Sequence, residues 1–471
     1  MGANVVAYVA LVLLVPLSAV LFAALRPPLA VATVFLIAWL LLPEGVAFDA
    51  PAIPPLDKHS IAAICALCGS LITAWPSLYR ARVGRGIDWF AVLLLIGLVG
   101  TSATNGDPLI FMSKYLPGVT FYDAMAQAFR LSLTVIVPFV LGRALYRTTN
   151  DLTLLMGVVT VAAVLYLPLV AFELRFSPQL HRMVYGFHQH EFAQTIRGDG
   201  YRPMVFMHHG LALAMFLLTA TLFGIALARA RQPLPFALPP ALAAGVLGVS
   251  LVLCKSLGAL IYALVVLPVL ILGSSRLHAR VAVLLAALVV VYPALRVADA
   301  FPTTALVDLA AARVNQDRAS SLAFRFYNED QLVEKALDRK LFGWGSFGRN
   351  RIYDDWGTDI SVTDGHWIIA LGAGGVVGLV GTFGLLLWPI VQARRRLADE
   401  PLATRRLLIG VLAVTVAINA VDLLPNGLYS GFPLLLAGAL AGACARSAHH
   451  QRGVVSMKLC KASNFGAVLR V

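Results

Sequence analysis

Charged residues are scarce in this sequence, and their scarcity sets the class of the protein. They make up 13% of the 471 residues, whereas hydrophobic residues make up 59% and the mean hydropathy is +0.81. Soluble domains carry about 25% charged residues. The apolar residues form many separate runs of the length that a membrane-spanning helix needs, about 20 residues. Continuous runs also exclude a β-barrel, whose strands would alternate. We therefore predict an all-α polytopic membrane protein.

Cysteine is scarce as well, with five residues in the chain. Cys65 and Cys68 form a C-x-x-C pattern, but it lies in an apolar helix with no second pair and no histidine at ligand spacing. Packing therefore explains these thiols better than a metal or redox site does. A signal-peptide cleavage site is also absent after Leu25, so the first apolar run is predicted as a retained span.

The net charge of +13 would suit a nucleic-acid-binding protein, but its distribution does not. The arginines lie in short clusters between apolar runs, which is the pattern that the positive-inside rule produces. We therefore predict no nucleic-acid partner and place these clusters in the cytoplasm. The clusters are Arg80/Arg82/Arg85, Arg143/Arg147, Arg229/Arg231, Arg276/Arg280 and Arg394 to Arg396 with Arg405/Arg406.

The whole chain, 1–471, is predicted as one integral membrane domain of about 12–13 spans. The tail 447–471 is then cytoplasmic, and an odd number of spans places the N-terminus outside. The spans are predicted near 4–23, 28–43, 59–76, 87–104, 124–142, 153–172, 205–228, 236–254, 258–273, 281–298, 367–391, 406–424 and 431–446.

The long polar connections share the opposite face. Two of them, 173–204 and 299–366, are longer than connections without a function usually are. The larger loop is predicted to be partly helical, because a broken apolar face runs from 319 to 339 and suits a helix on the membrane surface. Gly343 and Gly345 then predict a tight turn that brings the backbone close to a ligand or to another segment.

Two cations beside predicted spans are candidates for anion binding. Arg202 precedes a span on the predicted outer face, where it can simply reach the lipid headgroups. It also departs from the positive-inside trend there, and a phosphate would suit its guanidinium. Lys255 interrupts an apolar stretch, either as a hairpin tip or as a charge inside the bundle, and could contact an anion in both cases.

Arg325, Asp364 and His366 are the candidates in the large loop. Arg325 can form an ion pair with Glu329, four residues on, or bind an anion. His366 opens a span and is the best-suited general base on that face, because imidazole ionises near neutral pH, although capping or packing also explains it. Asp364 is predicted to cap the helix rather than to orient the ring.

Two polar groups elsewhere on this face are weaker candidates. Three residues of the 173–204 loop resemble part of a metal site, but the number of ligands is short. Asp422 and Asn426 flank another loop, where binding of sugar hydroxyls or plain solvation would explain them. The three loop residues are His188, His190 and Glu191.

Four motifs, in family order, resemble the O-antigen ligase and polymerase superfamily of bacterial inner-membrane proteins. The resemblance covers roughly 200–380, and Trp367 stands where the family commonly has asparagine. The motifs are Arg202-Pro203 followed by His208-His209, Ser256-Leu-Gly-Ala259 in a later span, Arg325 on a helix running into Gly343-Trp-Gly345, and His366 opening a span with Gly-x-x-Gly spacing.

The resemblance implies a C-type glycosyltransferase in the bacterial inner membrane, with its active site facing the periplasm. The donor would be a glycan on undecaprenyl pyrophosphate, and the acceptor the lipid A core or a growing glycan. Arg202 and Arg325 would bind the pyrophosphate, and His366 would take the proton of the attacking hydroxyl, with inversion at the anomeric carbon. No metal or other cofactor is expected. Further substrate contacts would be Lys255, His209, Gly343, Gly345 and Asp364.

Two other interpretations stay open. A transporter or flippase for a lipid-linked or anionic glycan would need charged or broken helices near the middle of the bilayer, and an internal repeat. A non-catalytic protein of polysaccharide assembly would leave Arg202, Arg325 and His366 dispersed in space. Glycan transfer instead predicts that these three side chains converge on one cavity.

Overall fold

The computed structural model describes residues 2–50, 53–81, 86–198, 200–313 and 315–445. The predicted cytoplasmic tail 447–471 lies outside the described residues, as do Arg82 and Arg85. Within the described ranges the chain is mostly α-helical, and its strands form three short antiparallel hairpins. The strands are β1 (Ala47–Ala50) with β2 (Ile53–Asp57), β3 (Leu109–Ile110) with β4 (Tyr115–Leu116), and β5 (Ile196–Arg197) with β6 (Gly200–Tyr201).

The α-helices follow one another through short connections along most of the chain. A π-helical turn, Ser132–Ile136, joins the sixth to the seventh. Single 3-10 turns occur at Gly86–Asp88, Phe192–Thr195 and Pro235–Ala237. The α-helices are α1 (Val5–Ala24), α2 (Pro27–Leu41), α3 (Lys58–Thr73), α4 (Trp75–Ala81), α5 (Trp89–Thr104), α6 (Phe121–Leu131), α7 (Val137–Leu145), α8 (Thr149–Phe176), α9 (Leu180–Tyr185), α10 (Gly210–Arg229), α11 (Pro240–Leu253), α12 (Leu257–Leu272), α13 (Ser275–Val297), α14 (Thr303–Arg313), α15 (Gln316–Asp338), α16 (His366–Asp399), α17 (Ala403–Asp422) and α18 (Gly431–Cys444).

Eight helices of the described residues are long and apolar enough to cross a membrane, which confirms a multi-pass helical membrane protein. α3 and α4 form a ninth candidate that is bent by 101°. Four shorter helices, α2, α11, α12 and α18, are also apolar. The eight are Val5–Ala24, Gly86–Thr104, Phe121–Leu145, Thr149–Phe176, Gly210–Arg229, Ser275–Val297, His366–Asp399 and Ala403–Asp422.

α10 and α17 lie at the centre of the bundle. In each, 78% of the most apolar stretch is buried, whereas the corresponding share in α1 and α13 is only 28%. The exposed side chains of α1 and α13 include Val12 and Leu284. A helix that is apolar on all sides while partly exposed is suited to contact lipid, so α1 and α13 belong to the rim.

The helices have two distinct ends. One cavity is lined by the C-terminal ends of α10 and α16 together with the N-terminal ends of α13 and α17, and Arg229 lies in it. Arg229 also donates hydrogen bonds to the carbonyls of Leu270 and Gly273 at the end of α12. The first residues of α10, α12 and α16 therefore lie at the opposite end. We call these two ends the Arg229 end and the His366 end.

The predicted span 59–76 is not one straight helix. It divides into α3 and α4, with Ala74 between them in a non-helical conformation. Pro76 explains the division, because its ring is tolerated in the first turn of α4 but could not continue α3. The predicted span therefore corresponds to α3, which ends three residues before the predicted end.

α16 is longer than predicted and is broken inside. It runs for 34 residues, and Gly375 adopts φ 62° and ψ −162° within it. The break is filled by the loop after α15: the N–H groups of Trp344 and Gly345 donate to the carbonyls of Gly372 and Ala373, at 2.8 and 2.9 Å. The loop thus satisfies backbone groups that the break leaves unpaired.

The helix predicted over 319–339 is confirmed as α15, Gln316–Asp338, and its location on a membrane surface stays a prediction. Its buried residues include Leu332, Val333 and Ala336, which are the apolar face that the sequence indicated. α15 packs against α16 and also contacts α13. The large loop is therefore folded back onto the bundle.

Candidate active site

The turn before α10 is held by one buried carboxylate. Glu173, near the end of α8, accepts hydrogen bonds from the backbone N–H groups of Met204 (2.8 Å), Val205 (2.7 Å) and Leu180 (3.1 Å). Val205 has a φ of 55°, which a β-branched residue rarely adopts, so these bonds stabilise a strained turn. The apolar run predicts that this span starts near 205. Because of the turn, α10 begins at Gly210 instead.

A buried lysine holds the same turn from another side. Lys58 donates to the carbonyls of Leu42 and Phe206, both at 3.1 Å, and its ammonium lies 2.9 Å from the carboxylate of Glu44. Burial alone would raise the pKa of Glu44, but Lys58 and the neighbouring histidines outweigh it and lower that pKa. The Glu44 carboxylate is therefore ionised, and Lys58 and Glu173 together fix the turn.

Arg202 leaves this turn as a buried cation. It is 8% exposed, and among the described residues no carboxylate forms an ion pair with it. Its Nη2 donates to the Lys255 carbonyl at 3.3 Å, and its Nε has no hydrogen-bond partner within the described part of the chain. Burial and the nearby Arg197 lower the pKa of Arg202 to about 10, so it stays charged at neutral pH. Burial of such a guanidinium costs free energy unless an anion forms a charged hydrogen bond with it.

Gly210 allows this position of Arg202. A Cβ at Gly210 would lie 2.4 Å from the Cγ and Cδ of Arg202. Any larger residue there would displace the side chain from the start of α10, so the aliphatic part of Arg202 packs directly on the helix terminus.

Histidines surround the same helix terminus. His209 caps α10, and its Nδ1 accepts a hydrogen bond from the N–H of Leu211 at 3.0 Å. Its ring centroid lies 4.8 Å from that of His190, which is 5.7 Å from that of His208. Burial, with His190 and Arg202, lowers the pKa of His209 to about 3. The ring is therefore neutral and offers its Nε2–H as a donor.

The other polar residues of the 173–204 loop are engaged with their neighbours. The His188 ring packs 5.4 Å from Phe192, and Glu191 accepts a hydrogen bond from Gln194 at 3.3 Å. Among the described residues, no three His, Cys, Asp or Glu side chains are grouped as metal ligands.

Lys255 lies in an exposed turn between α11 and α12, so it is a hairpin tip and not a charge inside the bundle. Its φ is 51°, and its Nζ donates to the Arg197 carbonyl at 3.1 Å. Its own carbonyl accepts from Arg202. Lys255 thus contacts Arg202 through its carbonyl, and its exposed ammonium adds a positive charge at the Arg197 carbonyl.

The i, i+4 spacing of Arg325 and Glu329 suggested an ion pair, but the two residues do not form one. The Nε of Arg325 lies 3.3 Å from the carboxylate of Asp364, and both side chains are about half exposed. Asp364 does not cap α16 either, because Gly365 occupies the N-cap position without a side-chain hydrogen bond. The predicted cap was therefore wrong, and the Arg325–Glu329 pair, one of two options left open for Arg325, is absent, because the fold brings α15 alongside the start of α16.

Glu329 instead forms the centre of a network that the sequence analysis missed. It accepts hydrogen bonds from the hydroxyl of Tyr292 (2.6 Å), the Nε of Arg296 (3.0 Å) and the Nε1 of Trp367 (3.4 Å). Arg296 also lies 2.8 Å from Asp330. The network ties α15 to α13 and to the residue after His366. One signal was available, since Arg296 is a charge inside a predicted span and such a charge needs a partner.

His366 is positioned by three contacts from its surroundings. Its N–H donates to the carbonyls of Leu423 (2.9 Å) and Asn426 (3.2 Å) after α17, and its ring stacks on Tyr429 with centroids 4.4 Å apart and planes at 11°. Among the described residues, no side chain forms a hydrogen bond with its ring nitrogens. Asp364, two residues before it, holds Arg325 nearby.

The Arg202 and His366 groups lie at the same end of the bundle and are linked through α12 and α17. Tyr262 of α12 lies near Asp422 at the end of α17, and Asp422 accepts a hydrogen bond from Asn426 at 2.9 Å. About 7.5 Å of helix rise separates Tyr262 from Leu257, the first residue of α12. Arg325 contacts Asp364, two residues before His366, whereas no described hydrogen bond or ion pair joins Arg202 to Arg325 or to His366. Convergence of all three on one cavity stays a prediction.

Gly343 and Gly345 approach another segment of the protein rather than open space. A Cβ at Gly343 would lie 2.5 Å from backbone atoms of Ala373 and Gly375. The Gly343 carbonyl accepts from Asn105 at 2.9 Å. Of the two options that the glycines left open, contact with another segment is the one that the structure contains.

No family model matches the chain, and no curated protein matches it.

Proposed function

We propose that this chain is a C-type glycosyltransferase, similar to the O-antigen ligases and polymerases. It moves a glycan from undecaprenyl pyrophosphate to a sugar hydroxyl of an acceptor, the lipid A core or a growing glycan. The observation that carries the proposal is Arg202, a buried and charged guanidinium whose Nε has no partner among the described residues. A pyrophosphate leaving group is the kind of anion that completes such a site.

The departure of the pyrophosphate is the step that Arg202 assists. As the bond between the anomeric carbon and the phosphate oxygen breaks, that oxygen gains negative charge. Arg202 and Lys255 supply fixed positive charge at the start of α12, and His209 offers an Nε2–H donor beside them. Preformed donors of this kind typically contribute about 10²–10³ in rate.

His366 acts as the general base in this mechanism. Its ring nitrogens have no hydrogen-bond partner among the described residues, and stacking on Tyr429 fixes the plane of the ring. The imidazole takes the proton of the acceptor hydroxyl while the hydroxyl oxygen attacks the anomeric carbon, so the configuration inverts. Arg325, half exposed and held only by Asp364 within the described ranges, is free to bind the distal phosphate.

The location proposed for this reaction is the periplasmic side of the bacterial inner membrane. The two long loops, 173–204 and 299–366, then face the periplasm. Together with the eight spans and the bent pair, the four shorter apolar helices support a total of about 12–13 spans. The shorter helices suffice if the bilayer is locally thin or if they are continued by their flanking residues.

A transporter is the alternative function that the break in α16 could indicate. Transporters use the open ends of discontinuous helices to bind substrate. In α16 the backbone groups at the break are taken by Trp344 and Gly345 instead. An occupied break favours the transferase, in which α16 presents His366 at its first residue.

A reconstituted assay with a lipid-linked donor and several acceptors tests the proposal. In detergent, where no compartment exists, product formation identifies a transferase and excludes pure transport. Arg202→Gln and His366→Ala should each reduce kcat by about 10²–10³. Arg197→Gln, the neighbouring exposed arginine, is the matched control and should retain activity. Full activity in either Arg202→Gln or His366→Ala would reject the assigned role.

A further inference from the structure

A cleft of about 700 Å³ opens at the Arg229 end, between the termini of α10, α13, α16 and α17. It is lined by four arginines and several hydroxyls, and none of its lining residues is acidic. The arginines are Arg229, Arg231, Arg276 and Arg406, and the hydroxyls include Ser275 and Thr404.

Other arginines at this end are neutralised by carboxylates. Arg143 pairs with Asp88, and Glu400 pairs with both Arg396 (3.0 Å) and Arg405 (3.2 Å). Arg280, Arg394 and Arg395 form no ion pair among the described residues either, but they do not line the cleft. The cleft is distinct because it brings four arginines without an acidic partner, among the described residues, to one concave surface.

Two of the four arginines are fixed by carbonyl groups. Arg229 donates to Leu270 and Gly273 at the end of α12, and Arg406 donates to the carbonyls of Glu400 (2.7 Å) and Pro401 (3.0 Å). A guanidinium has five N–H donors, so donors remain on both. Carbonyls orient the guanidinium without cancelling its charge.

The side chains of the other two arginines are exposed and, within the described residues, form no hydrogen bond or ion pair. Arg276 also lies in the first turn of α13, where the positive end of the helix dipole disfavours a cation. An anion in the cleft would interact favourably with Arg231, with Arg276 and with that helix terminus together.

Exposed apolar side chains flank the lining residues Ser274 to Arg276 in the sequence. Leu272 is 85% exposed, and Ile271 and Leu277 are also exposed beside Ser275. Exposed aliphatic side chains next to converging arginines suit a ligand with an anionic head and an acyl tail. A free phosphate would make no use of them.

We propose that this cleft binds the phosphate of an anionic phospholipid, with the acyl chains lying along Ile271 and Leu272. The phosphate accepts hydrogen bonds from the guanidinium groups and from Thr404 or Ser275. The site lies at the end of the bundle opposite His366, and it does not depend on the glycan transfer proposed above.

Native mass spectrometry of the purified full chain can test this proposal with phosphatidylglycerol, phosphatidylcholine and inorganic phosphate as separate probes. The double substitution Arg231→Gln/Arg276→Gln should weaken phosphatidylglycerol binding by about thirty-fold. Each lost charge weakens the attraction to the anionic headgroup, and the two effects multiply. The matched control is Arg280→Gln/Arg394→Gln, which removes the same charge from exposed positions that do not line the cleft. It should change binding by less than about three-fold.

Three outcomes would overturn the proposal. Equal weakening in the test and control variants would mean diffuse attraction to surface charge. Equal retention of phosphatidylcholine and phosphatidylglycerol by the wild type would mean that the cleft does not discriminate between headgroups by their net charge. Inorganic phosphate that binds with the same dependence on Arg231 and Arg276, and displaces the lipid, would assign the cleft to a free anion.

Discussion

Glu173→Gln is the substitution that most directly tests how the candidate site is assembled. The Glu173 carboxylate accepts three backbone N–H bonds, from Leu180, Met204 and Val205. Glutamine has the same size but only one acceptor oxygen, and its NH₂ group would face donors. At least one buried N–H loses its acceptor, which costs about 1–3 kcal/mol, and loss of the charge weakens the bonds that remain. We expect a total loss of about 2–5 kcal/mol in unfolding free energy.

Hydrogen exchange of the backbone amides of 204–209 measures the predicted effect where it arises. In Glu173→Gln the amides of Met204 and Val205 should exchange much faster, and the unfolding temperature in detergent should fall. Glu191→Gln is the control, because Glu191 is exposed in the same loop and its side chain bonds only to Gln194 among the described residues. Unchanged protection of Met204 and Val205 in Glu173→Gln would refute the role of this carboxylate.

Two further predictions concern a titrating cap and a tight glycine. The folded pKa of His209, about 3, lies below its unfolded value near 6.5. The free energy of unfolding should therefore decrease as pH falls from about 6.5 towards 3, because in this range the unfolded chain binds a proton that the folded chain does not bind. In His209→Asn, which can still cap α10, unfolding temperature should fall less over that range; parallel profiles would contradict this. Gly343→Ala should lower the unfolding temperature clearly, whereas Gly374→Ala, with open space at its Cβ, should not; equal effects would contradict the close packing.

The membrane class and the surface helix could be predicted from the sequence because each depends on local patterns. A run of apolar residues has no better environment than lipid or core, whatever the rest of the chain does. α15 was predictable for a similar reason, since the spacing of Leu332, Val333 and Ala336 marks one helical face.

The pairing of charges could not be predicted, because it depends on contacts between distant segments. At spacing i, i+4, Arg325 and Glu329 are neighbours on a helix, and a local argument joins them. The fold offers each a better partner from elsewhere, Asp364 for Arg325 and Arg296 for Glu329. The role of Glu173 could not be predicted either, because its partners are the backbone amides of a strained turn. No pattern of side chains in the sequence indicates such contacts.

Three arginines of similar appearance in the sequence differ in what surrounds them. Arg296 is buried and neutralised by Glu329 and Asp330, so its burial is compensated within the protein. Arg325 is half exposed, and water screens its pair with Asp364. Arg202 alone of these three is buried without a carboxylate partner among the described residues.

This difference ranks the three arginines as anion sites. A phosphate at Arg296 would have to displace two carboxylates, and at Arg325 it would compete with Asp364 and with water and so bind more weakly than at Arg202. At Arg202 the desolvation of the guanidinium has already occurred on folding, so an arriving anion recovers the full interaction without a competing partner. The protein keeps that charge in place with Glu173 and Lys58, which hold the turn from which Arg202 extends. A framework of buried, satisfied charges around one unsatisfied charge is what binding of an anion at this position requires.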